Sequence, residues 1–108
     1  MRHFFDLDEL QNQQAGSLKL YQEFLRVPAL SVGLYVLPAG SIDPQSPHKE
    51  DEVYYVVRGK ARMRVGTENR PVAAGSVIFV EAKLEHRFYD IVEELAVLVF
   101  FAPAESGG

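Results

Sequence analysis

An all-β domain of antiparallel strands with one short helix at its N-terminal end is the fold class this sequence predicts. Three observations predict it. Gly59, Gly66 and Gly75 punctuate runs of about six residues, the rhythm of successive antiparallel strands rather than of βαβ units. The runs between turn signals are short, β-branched and aromatic, as in "LSVGLYVL", "EVYYVV" and "SVIFV". Helical periodicity is confined to the first 15 residues or so and fades from Leu18 onward.

Taken in order, Asp6 followed three residues later by Glu9 resembles a capping box, and Gly16 is placed to stop a helix after Ala15. "LKLYQEFLRV" and "LSVGLYVL" then read as strands ended by Pro28 and by the "PAG" turn at Pro38 to Gly40. A Pro-rich loop, "IDPQSP", leads to "EVYYVV", a turn at Arg58 to Gly59, and "KARMRV". "GTEN", "RPVAAG", "SVIFV", "HRFYDI" and "ELAVLVFF" complete the series, and closure into a barrel would remove the exposed strand edges. The expected division is an N-terminal helix and strand extension over 1–29, a barrel over 30–103 and a flexible tail over 104–108.

Composition narrows the function classes. At 108 residues with 47% apolar and 24% charged, the chain has room for one core and none of the bias of extended disorder. A net charge of −4 offers no basic field for phosphate backbones, so nucleic acid is not an expected partner. No cysteine is present, which removes disulfides, thiolate zinc sites and cysteine nucleophiles while leaving histidine and carboxylate chemistry open. Asp6, Asp8 and Glu9 interrupt any secretory h-region, and the longest apolar run, "LAVLVFFA", is too short to span a bilayer as a helix. A soluble cytoplasmic protein is expected, with no membrane partner.

The chemistry-bearing residues lie around "DPQSPHKEDEVYYVVRG". His48 and Glu52 are four apart, and His86 follows at the start of a later strand. Two imidazoles and a carboxylate form the ligand set of a facial triad, suited to Fe(II) and acceptable to Mn, Ni, Co or Zn. His48 and Glu52 are expected at the end of one strand and the start of the next, with His86 brought alongside by barrel closure. If Glu52 points inward, alternation carries Tyr54 and Val56 inward and Tyr55 and Val57 outward, and Phe88 shares the inner face with His86. Tyr54 and Phe88 are therefore candidates for lining a ligand pocket as well as for plain core packing. Arg58, Lys60, Arg62 and Arg64 share one parity, which reads as a solvated outer face rather than an anion site. His3 reads as exposed, and Glu50 and Asp51 as solvated turn residues. Neither a nucleophile elbow nor a phosphate loop occurs.

The spacing of these residues resembles the cupins, small β-barrels whose first motif reads Gly, five residues, His-x-His, three residues, Glu, six residues, Gly. Gly40, His48, Glu52 and Gly59 stand in register with it, and Ser46 occupies the slot of the first histidine. The second motif reads Gly, five residues, Pro-x-Gly, two residues, His, three residues, Asn. Gly75 and His86 match, while Glu81, Lys83 and Asp90 replace the Pro, Gly and Asn. Lys83 accepts positive φ less readily than glycine, so a different backbone path is expected at that turn. The resemblance covers about residues 30–102 and implies a single-domain cupin-2 barrel, an antiparallel double-stranded β-helix of jelly-roll type. It also implies a divalent metal (Fe, Mn, Ni or Zn) held by His48, Glu52 and His86, with Gln45 or Asp43 as a further oxygen donor if the loop turns inward. The implied ligand pocket includes Ser46, Tyr54 and Phe88.

Two functions stay open at this point. One is a small metal-dependent enzyme of oxygenase or isomerase type acting on a small molecule; the other is a metal-free small-ligand binding or sensing domain in which Glu52 holds the imidazoles by hydrogen bonds. The segment before Leu30 offers an amphipathic edge, and cupins commonly dimerise through such additions, so a homodimer is expected.

Overall fold

The computed structural model describes residues 1–17, 19–44 and 47–106. Its elements run α1 (Leu7–Ala15), β1 (Tyr21–Val27), β2 (Leu30–Leu37), β3 (Asp51–Val65), β4 (Glu68–Ala73), β5 (Val77–Val80) and β6 (His86–Ala102). Every strand pairing is antiparallel, as expected. The sheet order is β1-β2-β6-β3-β4, with β5 also paired to β3.

Asp6 starts the helix by accepting from the amides of Asp8 and Glu9 at 2.9 and 3.5 Å. The reciprocal half of a capping box is absent, because the Glu9 carboxylate turns instead to Arg2 at 3.3 Å. Gly16 ends the helix with φ −82°, so it stops the chain without using the left-handed freedom that favours glycine there.

Two pairs of expected strands are each one long strand. "EVYYVV" and "KARMRV" join into the 15-residue β3, and "HRFYDI" and "ELAVLVFF" into the 17-residue β6. Arg58 and Gly59, read as a turn, form an irregularity within the β3–β6 ladder, where the register shifts between Val56 and Arg62. Gly59 has φ +99°, and a Cβ there would lie 2.3 Å from the Glu94 carbonyl oxygen, so the two strands come too close for any side chain. A sequence reader sees a glycine after a charged residue; the close approach that requires it comes from a strand 35 residues away.

β2 and the second half of β6 are covered on both faces, which explains their nearly unbroken apolar sequence. One face sends Tyr35, Leu37, Leu95, Val97, Val99 and Phe101 into the main core with Tyr54, Val56, Met63 and Phe88. The other sends Leu34 and Ala96 under α1, where Leu10 closes a second cluster with Phe5, Phe24 and Leu98 packed at its margin. Phe24 reaches that side at the register shift between Glu23 and Leu25, and its ring lies 5.1 Å from that of Phe5. On β3 the alternation holds: Glu52, Tyr54 and Val56 are buried, and Tyr55 is exposed. The cations of β3 are outward or half-buried, with Arg58 paired to Glu94 at 2.8 Å and Arg62 bonded to Asn69 and Tyr89. Among the described residues no helix is long and apolar enough to cross a membrane.

Candidate metal centre

His86 opens β6, opposite Val65 at the end of β3, and its side chain is fully buried. The turn that delivers it runs from Glu81 to Leu84, with the Leu84 amide donating to the Glu81 carbonyl at 3.3 Å. Lys83 takes φ +69° within this turn. The lysine in the glycine slot itself adopts the left-handed conformation, at a backbone cost of about 1 kcal/mol. Its amide donates to the carbonyl of His48 at 2.6 Å, which joins the turn before one histidine to the loop that carries the other. The Asp51 carboxylate accepts the Ala82 amide of the same turn at 2.8 Å, a structural task rather than mere solvation.

His86 Nδ1 lies 2.9 Å from the Leu84 carbonyl, Nε2 lies 3.0 Å from the Tyr54 hydroxyl, and Nε2 is 2.9 Å from Glu52 Oε1. Burial opposes a charge on this ring, but the Glu52 contact, the Leu84 carbonyl and the negative field of Glu52 and Asp43 outweigh it and hold its pKa above the ordinary histidine value. Glu52 is only 1% exposed. Beyond its 2.9 Å approach to His86 Nε2, neither Glu52 oxygen has a hydrogen-bond partner among the described residues.

His48 stands on the loop between β2 and β3, not at the end of a strand as expected. Its ring packs edge-on against Phe101 with centroids 4.9 Å apart and lies 5.7 Å from the His86 ring. One ligand atom each from His48, Glu52 and His86 fall within 4.8 Å of one another. The spacing that grouped them in sequence is thus matched by proximity in space.

The remaining expected site residues fare differently. Asp43 is buried, but one carboxylate oxygen accepts the Tyr35 hydroxyl at 2.6 Å and the other the Phe88 amide at 2.9 Å, so it fastens the loop to β2 and β6 instead of turning to the cluster. Burial and this bond push the Tyr35 pKa upward. Tyr54 meets His86, while Phe88 packs edge-to-face on Tyr54 at 5.2 Å. Gln45 and Ser46 lie outside the described residues. Glu50, read as a solvated turn residue, is 6% exposed and accepts the Ser106 amide at 3.2 Å.

Sequence reasoning missed Glu105. Its Oε2 lies 3.3 Å from His48 Nδ1, and burial raises its pKa, with Glu50, Glu23 and Glu52 adding to the rise and His48 opposing it. Nothing in "AESGG" signals this contact, which depends on where the chain goes after β6. A ligand pocket was expected, but a cavity of about 290 Å³ beside His48 has other walls, among them Tyr21, Tyr35, Val99, Phe101 and Glu105, while Tyr54 and Phe88 are packed in the core at 0% and 1% exposure and are not among them. Gly33 makes room for one of those walls, since a Cβ there would lie 2.2 Å from the Tyr21 ring.

The profile of the cupin domain matches residues 33–102. An uncharacterized protein of Streptomyces coelicolor is 51% identical over 102 residues, covering 94% of this chain and 97% of that protein. Among solved structures, TT1209 from Thermus thermophilus has a TM-score of 0.75 at 24% identity, covering 94% of this chain and 97% of the other. An RmlC-like cupin with a double-stranded β-helix fold from Methanocaldococcus jannaschii has a TM-score of 0.69 at 15% identity, covering 77% and 78%. The chain belongs to the cupin family, and its strands form the antiparallel double-stranded β-helix of that family.

Proposed function

We propose that this cupin is a small metal-dependent enzyme, of oxygenase or isomerase type, whose centre is held by His48, Glu52 and His86. One observation carries the reading: Glu52 is a carboxylate only 1% exposed whose described contact is the 2.9 Å approach to His86 Nε2, and one ligand atom of each of Glu52, His48 and His86 lies within 4.8 Å of the others. A buried carboxylate left so poorly satisfied is costly, and a cation is the partner that best offsets the cost. The donor set fits Fe(II), Mn, Ni or Zn, each of which would supply Lewis-acid polarisation and, for Fe, oxygen activation.

The chain's own residues do the rest. Tyr54 and the Leu84 carbonyl orient the His86 ring, and Phe101 backs the His48 ring. The cavity beside His48, walled by aromatic and aliphatic side chains with two phenol groups and a carboxylate, suits a small aromatic or largely apolar molecule carrying a polar group. Elemental analysis of protein purified without a metal-chelating tag tests the reading. Near-stoichiometric metal, lost in His86→Ala, is expected; metal far below stoichiometry even after incubation with Fe(II), Mn(II) and Zn(II) would sink it.

A second reading is favoured by the His86 contacts themselves. His86 already meets Leu84, Tyr54 and Glu52, so the same cluster is compatible with a metal-free domain that binds a small ligand by hydrogen bonds. Ser46→His separates the two, since in a metal-free domain it creates metal affinity where the parent has none. We also infer a homodimer. β1 is an edge strand of the sheet, with α1 packed beside it over β2, and two such edges can pair. Light scattering that returns the monomer mass at working concentration would remove this inference.

A further inference from the structure

We propose that the strap after β6, residues 103–106, belongs to the metal site, with Glu105 as the positioning residue that fixes His48 in its Nδ1–H tautomer and so turns Nε2 to the metal. The proposal rests on the metal-site reading for its consequence, but its physical core stands apart from it.

The strap is tied down at every step. The Ala104 amide donates to the Pro28 carbonyl at 3.3 Å, the Glu105 amide to Ser31 Oγ at 2.9 Å, and the Ser106 amide to Glu50 Oε2 at 3.2 Å. Arg26 Nη2 donates to the Glu105 carbonyl at 2.5 Å. Two of the side-chain acceptors, Ser31 and Glu50, are themselves buried polar groups, at 0% and 6% exposure. A strand end and a loop that commit buried polar atoms to a short strap fix the path of its backbone. The Glu105 side chain is aimed accordingly: its carboxylate is partly buried and lies 3.3 Å from His48 Nδ1.

The other imidazole offers a geometric parallel. His86 has its Nδ1 on the Leu84 carbonyl and turns Nε2 to Glu52. An acceptor facing Nδ1 selects the tautomer that carries its proton there, which leaves the Nε2 lone pair for a cation and makes that nitrogen more basic. Glu105 supplies to His48 what Leu84 supplies to His86. In that tautomer each ring keeps Nε2 for a metal, one fixed by the turn before its own strand and the other by a strap from the far end of the same strand. Ser46 stands in the slot of a family imidazole, so the alignment of the two rings that remain weighs more in this chain.

Long-range ¹H–¹⁵N correlation of histidine-labelled, metal-free protein at about pH 8, where an ordinary imidazole is neutral, reads the tautomer directly. The expected result is the Nδ1–H pattern for His48 in the parent and in Glu105→Gln, which keeps a carbonyl acceptor, and the Nε2–H pattern in Glu105→Ala, with His86 unchanged in all three. Any other pattern for His48 in the parent, or an unchanged Nδ1–H pattern in Glu105→Ala, overturns the proposal. Titration with Mn(II) followed by electron paramagnetic resonance supplies the second readout: Glu105→Ala weakens binding about 10- to 100-fold and Glu105→Gln recovers most of it. Equal Mn(II) affinity in parent and Glu105→Ala also overturns it. A parent that binds none of the metals defeats the metal-site reading while the tautomer data still decide the role of Glu105.

Discussion

The two histidines of the cluster are held in contrasting ways. His86 starts a strand, is fully buried, and has oxygen atoms within 3.0 Å of both ring nitrogens from three neighbours. His48 stands on a loop, is 15% exposed at its side chain, and meets a carboxylate from a segment 57 residues away in sequence. One arm is built into the core; the other is assembled by the meeting of a loop, a turn and a strap. The lesson is that equal membership in a cluster does not mean equal cost of loss.

Truncation of each arm should break the symmetry most clearly. His86→Ala leaves Glu52 as an uncompensated buried charge and is expected to cost about 3 kcal/mol, whereas His48→Ala should cost under about 1 kcal/mol while abolishing metal binding just as completely. Urea melts of the two metal-free variants check this, and equal losses of stability would erase the distinction. Tyr54→Phe removes one hydroxyl from His86 and should cost about 1 kcal/mol without moving the His48 resonances. Lys83→Gly relieves the left-handed lysine between the two arms and should raise stability by roughly 0.5 kcal/mol, after the extra chain entropy of glycine is set against the strain. A melting temperature lowered by this change would mean that the lysine is not strained. The subtlest effect is in pH. The folded-state pKa of His86 is raised, so its pairing with Glu52 contributes fully below the ordinary histidine value and is lost as pH rises through the folded value. Metal-free protein should therefore lose melting temperature from neutral to alkaline pH, and His86→Ala should flatten that slope.

Much of this was legible in the sequence. Antiparallel strands and the inward parity of Glu52, Tyr54 and Val56 follow from alternation, a local property of the chain, whereas the grouping of His48 and Glu52 with the remote His86 was legible only through the resemblance to the two cupin motifs. What escaped was non-local. Gly59 reads as a turn because the strand it must approach, at Glu94, is remote in sequence. Glu50 and Asp51 read as solvated because the amides they accept, at Ser106 and Ala82, arrive only with the fold. Lys83 shows the opposite error: a local preference against positive φ was overruled by the turn, the Leu84–Glu81 bond and the amide it gives to His48. Glu105 is the extreme case, since its whole role depends on the path of the chain after β6.

β6 lies between β2 and β3 in the sheet, although it is the last strand in chain order. As the chain emerges during synthesis, β1 through β5 are therefore exposed before the strand that joins their two groups, and the open edges of β2 and β3 wait for residues near 100. Folding is thereby committed late, around contacts of long sequence separation, and is expected to be slow for a chain of this size. The unpaired edges in that interval are where a nascent chain would capture its neighbours, and where a chaperone would have to act.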